Sequence, residues 1–160
     1  MDQLKLSRWI KLIIIIVGLC GLVICGVVLP VFGRNIALSY EGEFDYAFWP
    51  CLIFLWLTAL PCFAALGVGW KVADNIGKDR TFTEENAKLI SAIAIIAACD
   101  SAFFFIGNIV LLFFNCNHPG FVLLSWVVVL LGAAISIGFA CLSHLVRKAA
   151  NLQNENDLTI

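Results

Sequence analysis

The sequence predicts an all-α integral membrane protein, a bundle of four transmembrane helices with both termini in the cytoplasm. The first observation is composition: 62% of the 160 residues are hydrophobic and 13% are charged, against about 45–50% and 25% in soluble domains. The second is mean hydropathy, which is +0.99. The third is the distribution of charge, because basic residues flank four apolar stretches and lie almost entirely on one side of them.

Each apolar stretch is long enough to cross a bilayer as a helix. The expected spans are residues 10–33, 47–70, 89–114 and 121–146, with Asp100 as the one acidic residue inside them. At about 1.5 Å of rise per residue, such stretches form helices of roughly 33–39 Å, longer than a hydrocarbon core of about 30 Å. We therefore predict a single membrane domain over residues 1–160, with a loop at 71–88 and a tail at 147–160.

The basic residues predict the orientation of these spans. Nine of the ten Lys and Arg residues precede the first span, lie in the loop 71–88 or follow the fourth span, and Arg34 lies on the other side. Because cytoplasmic loops are enriched in Lys and Arg, both termini, the loop and the tail are expected in the cytoplasm. The formal net charge of −1 argues against direct binding of nucleic acid, which needs a basic surface.

The sequence lacks the minimal motifs of the common metal and redox sites. It has no C-x-x-C, and its two histidines, His118 and His144, fall on opposite sides of the membrane. No catalytic residue, metal site or cofactor is predicted, and enzymatic activity is not expected.

Six of the seven cysteines lie inside the expected spans, where cysteine usually behaves as a small apolar residue. Cys116 belongs to the turn after the third span, and Cys51 lies near the same face of the membrane. A disulfide between them requires Cα atoms within about 7 Å, so a bridge and two free thiols both remain open.

Asp100 is the polar residue that most needs an explanation. A carboxylate near the bilayer centre costs roughly 2.5–3.5 kcal/mol, so it should face the other helices and find partners. Thr58 and Ser136 are expected at the same depth, with Cys62 close by. Asp100 is either a neutral carboxylic acid that bonds across helices or a proton or ion site. The lack of a second charged residue in the spans favours the bonding role.

The loop and the tail carry the remaining signals. Thr83-Glu-Glu-Asn86 is a helix-capping pattern ahead of the third span, and Gly77 is typical of a helix end. The tail mixes acidic and apolar residues, which suits contact with a protein better than contact with anionic lipid.

The motif Phe82-Thr83-x-Glu85-Asn86 and the ending Leu152-x-x-Glu155-Asn156-Asp157-Leu158-Thr159-Ile160 resemble a bacterial family called domain of unknown function 2975. The resemblance covers essentially the whole chain. It implies a multi-pass protein of the bacterial cytoplasmic (inner) membrane, in contact with the lipid bilayer and without an established activity. Members are often encoded beside a small helix-turn-helix regulator, which implies a cytoplasmic partner.

Two functions follow as hypotheses. In the first, the protein is a sensor or membrane anchor for such a regulator. The residues expected to contact the regulator are Phe82, Thr83, Glu85, Asn86, Glu155, Asn156, Asp157, Leu158 and Ile160. In the alternative, the protein is a small proton-linked transporter that uses Asp100, with Thr58 and Ser136 as its intramembrane polar neighbours.

Overall fold

The computed structural model describes residues 3–39, 45–117 and 119–157. Its elements are α1 (Gln3–Val23), a π-helical segment (Ile24–Val28), α2 (Leu29–Ser39), α3 (Asp45–Gly77), α4 (Glu84–Phe113) and α5 (Pro119–Asp157). Since α1, the π-helical segment and α2 follow one another without a break, they form one continuous first membrane helix. Four helices are therefore long and apolar enough to cross a membrane, which confirms the predicted all-helical membrane architecture.

Local sequence explains where the helices begin and end. Thr83 is the N-cap of α4, with extended backbone angles and a side chain that accepts a hydrogen bond from the Asn86 amide at 3.2 Å. α3 ends at Gly77, and Asp79 follows in the left-handed conformation at φ 60°. Pro119 begins α5, a position where its missing N–H costs nothing.

The helices pack in the order of the chain. The first membrane helix packs on α3, α3 on α4, and α4 on α5. Among the described residues, no Cα atom of the first membrane helix lies within 8 Å of α4 or α5, and no Cα atom of α3 lies within 8 Å of α5. The arrangement is an open row, which differs from the compact bundle expected from the sequence. Lipid tails solvate apolar helix faces, so little drives the row to close.

The buried hydrophobic cluster of Ala87, Ile90 and Val146 lies near one end of the row. We call this the basic end: residues 3–11, 71–88 and 147–157, where most Lys and Arg residues lie. The side chains buried at the basic end or within about one turn of it are those of Ser7, Ala73, Asn86, Ala87, Ile90, Ser143, Val146 and Ala150. Large apolar side chains elsewhere are mostly exposed, as expected for helices that face lipid.

Three serines join neighbouring helices. The Ser7 hydroxyl of α1 donates to the Ala73 carbonyl of α3 at 2.6 Å. On α5, the Ser143 hydroxyl donates to the Ala87 carbonyl of α4 at 2.7 Å. The Ser136 hydroxyl donates to the Ala94 carbonyl of α4 at 2.8 Å. Hydroxyl groups that bond across helices are a typical means of association in lipid.

Candidate functional site

Asp100 lies on α4, within the third membrane helix. Its Oδ2 atom accepts a hydrogen bond from the Cys62 thiol of α3 at 3.5 Å. Its Oδ1 atom is buried and has no hydrogen-bond partner in the described part of the chain. A thiol is a weak donor, and a buried oxygen without a partner costs free energy. The structure therefore gives this carboxyl group little local stabilisation.

The two hydroxyls expected beside Asp100 bond elsewhere. Thr58 donates to the Leu55 carbonyl of its own helix at 2.9 Å. Ser136 donates to the Ala94 carbonyl of α4, almost two turns before Asp100. Counting residues along each helix estimates depth alone. It cannot specify the direction in which a side chain points, and so it did not single out Cys62 as the partner of Asp100.

The helices that precede Asp100 in the row are irregular. The π-helical segment Ile24–Val28 interrupts the first membrane helix, and the Trp56 indole of α3 donates to its Cys25 carbonyl at 2.9 Å. Pro61 lies inside α3 and cannot donate to the Leu57 carbonyl. Such interruptions occur often at functional sites. The π-helical segment has no recognised signature in the sequence.

At the basic end, Asn86 holds the loop between α3 and α4. Its side chain is 1% exposed. It donates to the Thr81 carbonyl at 3.1 Å and accepts from the Asn75 side chain at 3.2 Å. Thr81 in turn donates to the Gln3 side chain of α1 at 3.2 Å. These bonds fasten the loop to the helices on both sides of it.

Asp74 joins α1 to the end of α3 through charge. Its carboxylate pairs with Lys11 of α1 at 2.8 Å and with Lys78 at 2.7 Å. The Lys11 ammonium also lies 5.2 Å from the centre of the Trp70 ring, within the range of a cation–π contact. The position of α1 at the basic end therefore rests on ion pairs as well as on the Ser7 hydrogen bond.

The residues expected to meet a partner separate into three groups. Phe82 is exposed on the loop, and Glu85 is exposed on the first turn of α4. Thr83 is the N-cap of α4 and accepts a hydrogen bond from the Asn86 amide. Glu155 is exposed near the end of α5. Asn156 and Asp157 belong to the last turn of that helix, and Leu158 and Ile160 lie outside the described residues.

Within the described residues, no group of three or more His, Cys, Asp and Glu side chains is placed to hold a metal ion. His118 lies outside that part of the chain.

Comparison with known proteins now identifies the family. The model of the family described as "Protein of unknown function (DUF2975)" matches residues 35–160. The chain belongs to this family. The protein named "Uncharacterized membrane protein YoaS" from Bacillus subtilis (strain 168) is 25% identical over 154 residues, which cover 95% of this chain and 96% of that protein. No solved structure matches.

Membership of the DUF2975 family confirms the resemblance predicted from the loop and tail motifs, since the matched region contains both. The name of the Bacillus protein and the four apolar helices agree that the chain is a membrane protein. The family itself has no described activity.

Proposed function

We propose that this protein is a non-enzymatic, multi-pass protein of the bacterial cytoplasmic membrane that acts as a sensor or membrane anchor for a small cytoplasmic helix-turn-helix regulator. The observation that carries the proposal is Phe82, a large aromatic side chain that is 51% exposed on a loop held by hydrogen bonds. Exposed aromatic residues are frequent anchors of protein interfaces. A loop that is already ordered loses little conformational entropy on binding.

The proposed orientation places this loop in the cytoplasm. Nine of the ten Lys and Arg residues belong to the side of the membrane that carries the loop, and the positive-inside rule assigns that side to the cytoplasm. In the single membrane domain that we propose, the loop 71–88 and the tail 147–160 then face the regulator together.

The end of α5 adds a second exposed apolar group on this side. The helix continues past Val146 to Asp157, about 16 Å at the usual rise. Leu152 on this extension is 55% exposed, and Glu155 follows one turn later. Apolar and acidic side chains together suit a protein surface better than an anionic lipid surface. Phe82 and Leu152 are therefore the proposed contacts, with Glu85 and Glu155 beside them.

The non-enzymatic part of the proposal rests on the sequence. It has no C-x-x-C, no pair of histidines on one side of the membrane and one carboxyl group within the spans. Enzymes of the common hydrolytic and redox classes need such groups in pairs or clusters.

The experiment is a co-purification of the protein with the regulator encoded beside its gene. The Phe82→Ala variant should retain several-fold less regulator than the wild type at equal membrane abundance. Phe113→Ala is the matched control, because Phe113 is also exposed, at 83%, but lies at the opposite end of α4. Equal recovery of the regulator by the wild type and both variants would refute the proposal.

Proton-linked transport through Asp100 is the second candidate function. Its supporting observation is the buried Oδ1 atom, which has no hydrogen-bond partner among the described residues, because an intramembrane carboxyl group is a typical proton or ion site. In liposomes that contain a pH-sensitive dye, the wild type should dissipate an imposed pH gradient and Asp100→Asn should not. Asp74→Asn, at the basic end, serves as the control. A gradient that decays equally with wild type and Asp100→Asn rejects transport.

A further inference from the structure

Cys51 and Cys116 lie against each other at the end of the row opposite the basic end. Cys51 occupies the second turn of α3, and Cys116 lies in the turn between α4 and α5. The Cys51 thiol donates to the Cys116 carbonyl oxygen at 3.2 Å. A carbonyl oxygen lies about 2.4 Å from the Cα atom of its own residue. The Cys51 sulfur therefore lies within about 6 Å of the Cys116 Cα atom, close to the residue with which it could form a disulfide.

The backbone around the pair is already fixed. The Cys116 amide donates to the Leu111 carbonyl at 2.9 Å, and Asn115 adopts a left-handed φ of 55°. The Tyr46 hydroxyl of α3 donates to the Asn115 carbonyl at 2.9 Å. The Tyr46 bond thus attaches the turn to the start of α3 one residue before Cys116, and the Cys116 amide bond attaches it to the end of α4.

Bond formation calls for rotation of the Cys116 side chain toward Cys51. Both cysteines are free thiols in the structure. The Cys116 thiol makes only a long contact of 3.5 Å with the Phe114 carbonyl. Rotation about its Cα–Cβ bond moves the sulfur between staggered positions at small cost.

The position in the chain distinguishes this pair from the other cysteines. Cys20, Cys25, Cys62, Cys99 and Cys141 all lie within the membrane helices. Cys116 lies outside them, where water can support the thiolate that thiol chemistry needs. Cys51 is half-buried beside it, close enough to act as its resolving thiol.

We propose that Cys51 and Cys116 form a redox pair, which a disulfide-bearing oxidant outside the cytoplasm converts to a disulfide. The Cys116 thiolate attacks one sulfur of the oxidant, and the other oxidant sulfur leaves as a thiolate. The Cys51 thiolate then attacks the Cys116 sulfur of this mixed disulfide and releases the second oxidant thiolate. The two protein thiols lose two electrons and two protons in total, and the oxidant disulfide gains them.

The disulfide would change how the row is held together. Hydrogen bonds from Tyr46 and Cys51 attach the start of α3 to the α4–α5 turn. A covalent link between residues 51 and 116 opposes separation of α3 from the α4–α5 turn. It does so because a cross-link restricts the conformations of the chain in which these helices have come apart. Oxidation outside the cytoplasm would thereby stabilise one arrangement of the helices.

The test uses glutathione disulfide, a charged oxidant that does not cross membranes, on right-side-out vesicles and on protein in detergent. In both samples the wild type should lose two thiols reactive to maleimide and yield a linked peptide pair containing Cys51 and Cys116. Cys51→Ser should instead retain one glutathione on Cys116. Cys141→Ser is the control and should form the same linked peptides as the wild type.

The test distinguishes two ways in which the proposal can be wrong: the two cysteines do not form a disulfide, or they lie on the cytoplasmic side of the membrane. Linked peptides in detergent but not in right-side-out vesicles would place the pair on the cytoplasmic side and overturn oxidation from outside. Unchanged thiols in detergent, or glutathione adducts without linked peptides, would overturn the pair itself. Neither result bears on whether Phe82 binds a regulator.

Discussion

Gly107 allows α3 and α4 to approach where an aromatic side chain crosses between them. The Phe54 ring of α3 stacks on Phe104 of α4, with ring centres 5.7 Å apart and planes inclined by 18°. A Cβ atom added to Gly107 would lie 2.6 Å from Cζ of the Phe54 ring. A ring held by stacking cannot give way as a flexible side-chain end can, so this position requires the smallest residue.

Gly107→Ala should therefore destabilise the protein by about 1–3 kcal/mol, the usual cost of overpacking a tight contact. Gly67→Ala on α3 is the matched control, since nothing in the described part of the chain except the adjoining residues and helix backbone lies within 4 Å of its added Cβ. Thermal unfolding in detergent micelles measures both variants. Equal melting temperatures for the two variants would show that Phe54 moves aside freely.

Asp100 gains little from the part of the chain that the structure describes, because a thiol donates the hydrogen bond to its Oδ2 atom and its Oδ1 atom has no partner there. Asp100→Leu should leave stability unchanged or raise it by about 1 kcal/mol, since an apolar residue removes a poorly compensated polar group. Ser136→Ala should cost about 0.5–1 kcal/mol, because it breaks a bond between α5 and α4. Unfolding in micelles checks both values, and a clear loss of stability in Asp100→Leu would make the carboxyl group structural.

At the scale of elements, side-chain hydrogen bonds fix the start of α4. Thr83 caps the helix, and Asn86, three residues later, bonds to both the loop and the end of α3. A glutamate at this place in a capping box would return a bond to the cap residue. Asparagine instead bonds to α3 and the loop, so this cap also fixes two neighbouring elements.

Asn86→Ala should cost about 2 kcal/mol, because it leaves the partly buried Thr81 carbonyl and the Asn75 amide without this partner. Thr83→Ala should cost about 1 kcal/mol, the usual value of an N-cap. Glu85→Ala is the exposed control and should stay within about 0.5 kcal/mol of the wild type. Melting curves in micelles test the ranking, and an Asn86→Ala curve that matches the Glu85→Ala curve would contradict it.

At the scale of the whole molecule, the order of the helices in the row equals their order in the chain. Among the described residues, the first membrane helix packs on α3 and α5 packs on α4, with no other helix beside either of them. Most of their apolar side chains are exposed, so lipid must cover both outer faces. The ion pairs of Asp74 with Lys11 and Lys78, and of Lys88 with Glu84, lie at the basic end. Polar contacts between helices are therefore concentrated at that end.

The orientation of the whole row can be measured by labelling. In a Cys51→Ser, Cys116→Ser background, an impermeant maleimide applied to intact cells should modify Ser39→Cys and not Asn154→Cys. The expectation follows from the nine basic residues on the side of residue 154. Lysis should make Asn154→Cys reactive and serves as the control. Modification of Asn154→Cys before lysis would invert the proposed topology.

The sequence predicted best those features that depend on residues close together in the chain. The apolar stretches, their lengths and the Thr83 capping pattern depend on neighbouring residues, so four helices and the start of α4 were predictable. The partner of Asp100 was not, because it depends on how α3 rotates against α4. The burial of Asn86 was not predicted either. The motif that contains Asn86 is compatible both with an exposed binding surface and with a buried residue that holds the loop.

The sequence by itself determined that this protein is a four-helix membrane protein of the DUF2975 family, because hydropathy and the loop and tail motifs are properties of the chain. Only the tertiary structure decided that the helices form an open row, that Asp100 meets Cys62, and that Cys51 reaches Cys116. These contacts join residues 38 or 65 positions apart. Helix rotation and tilt set them, and an apolar stretch is compatible with many rotations in lipid.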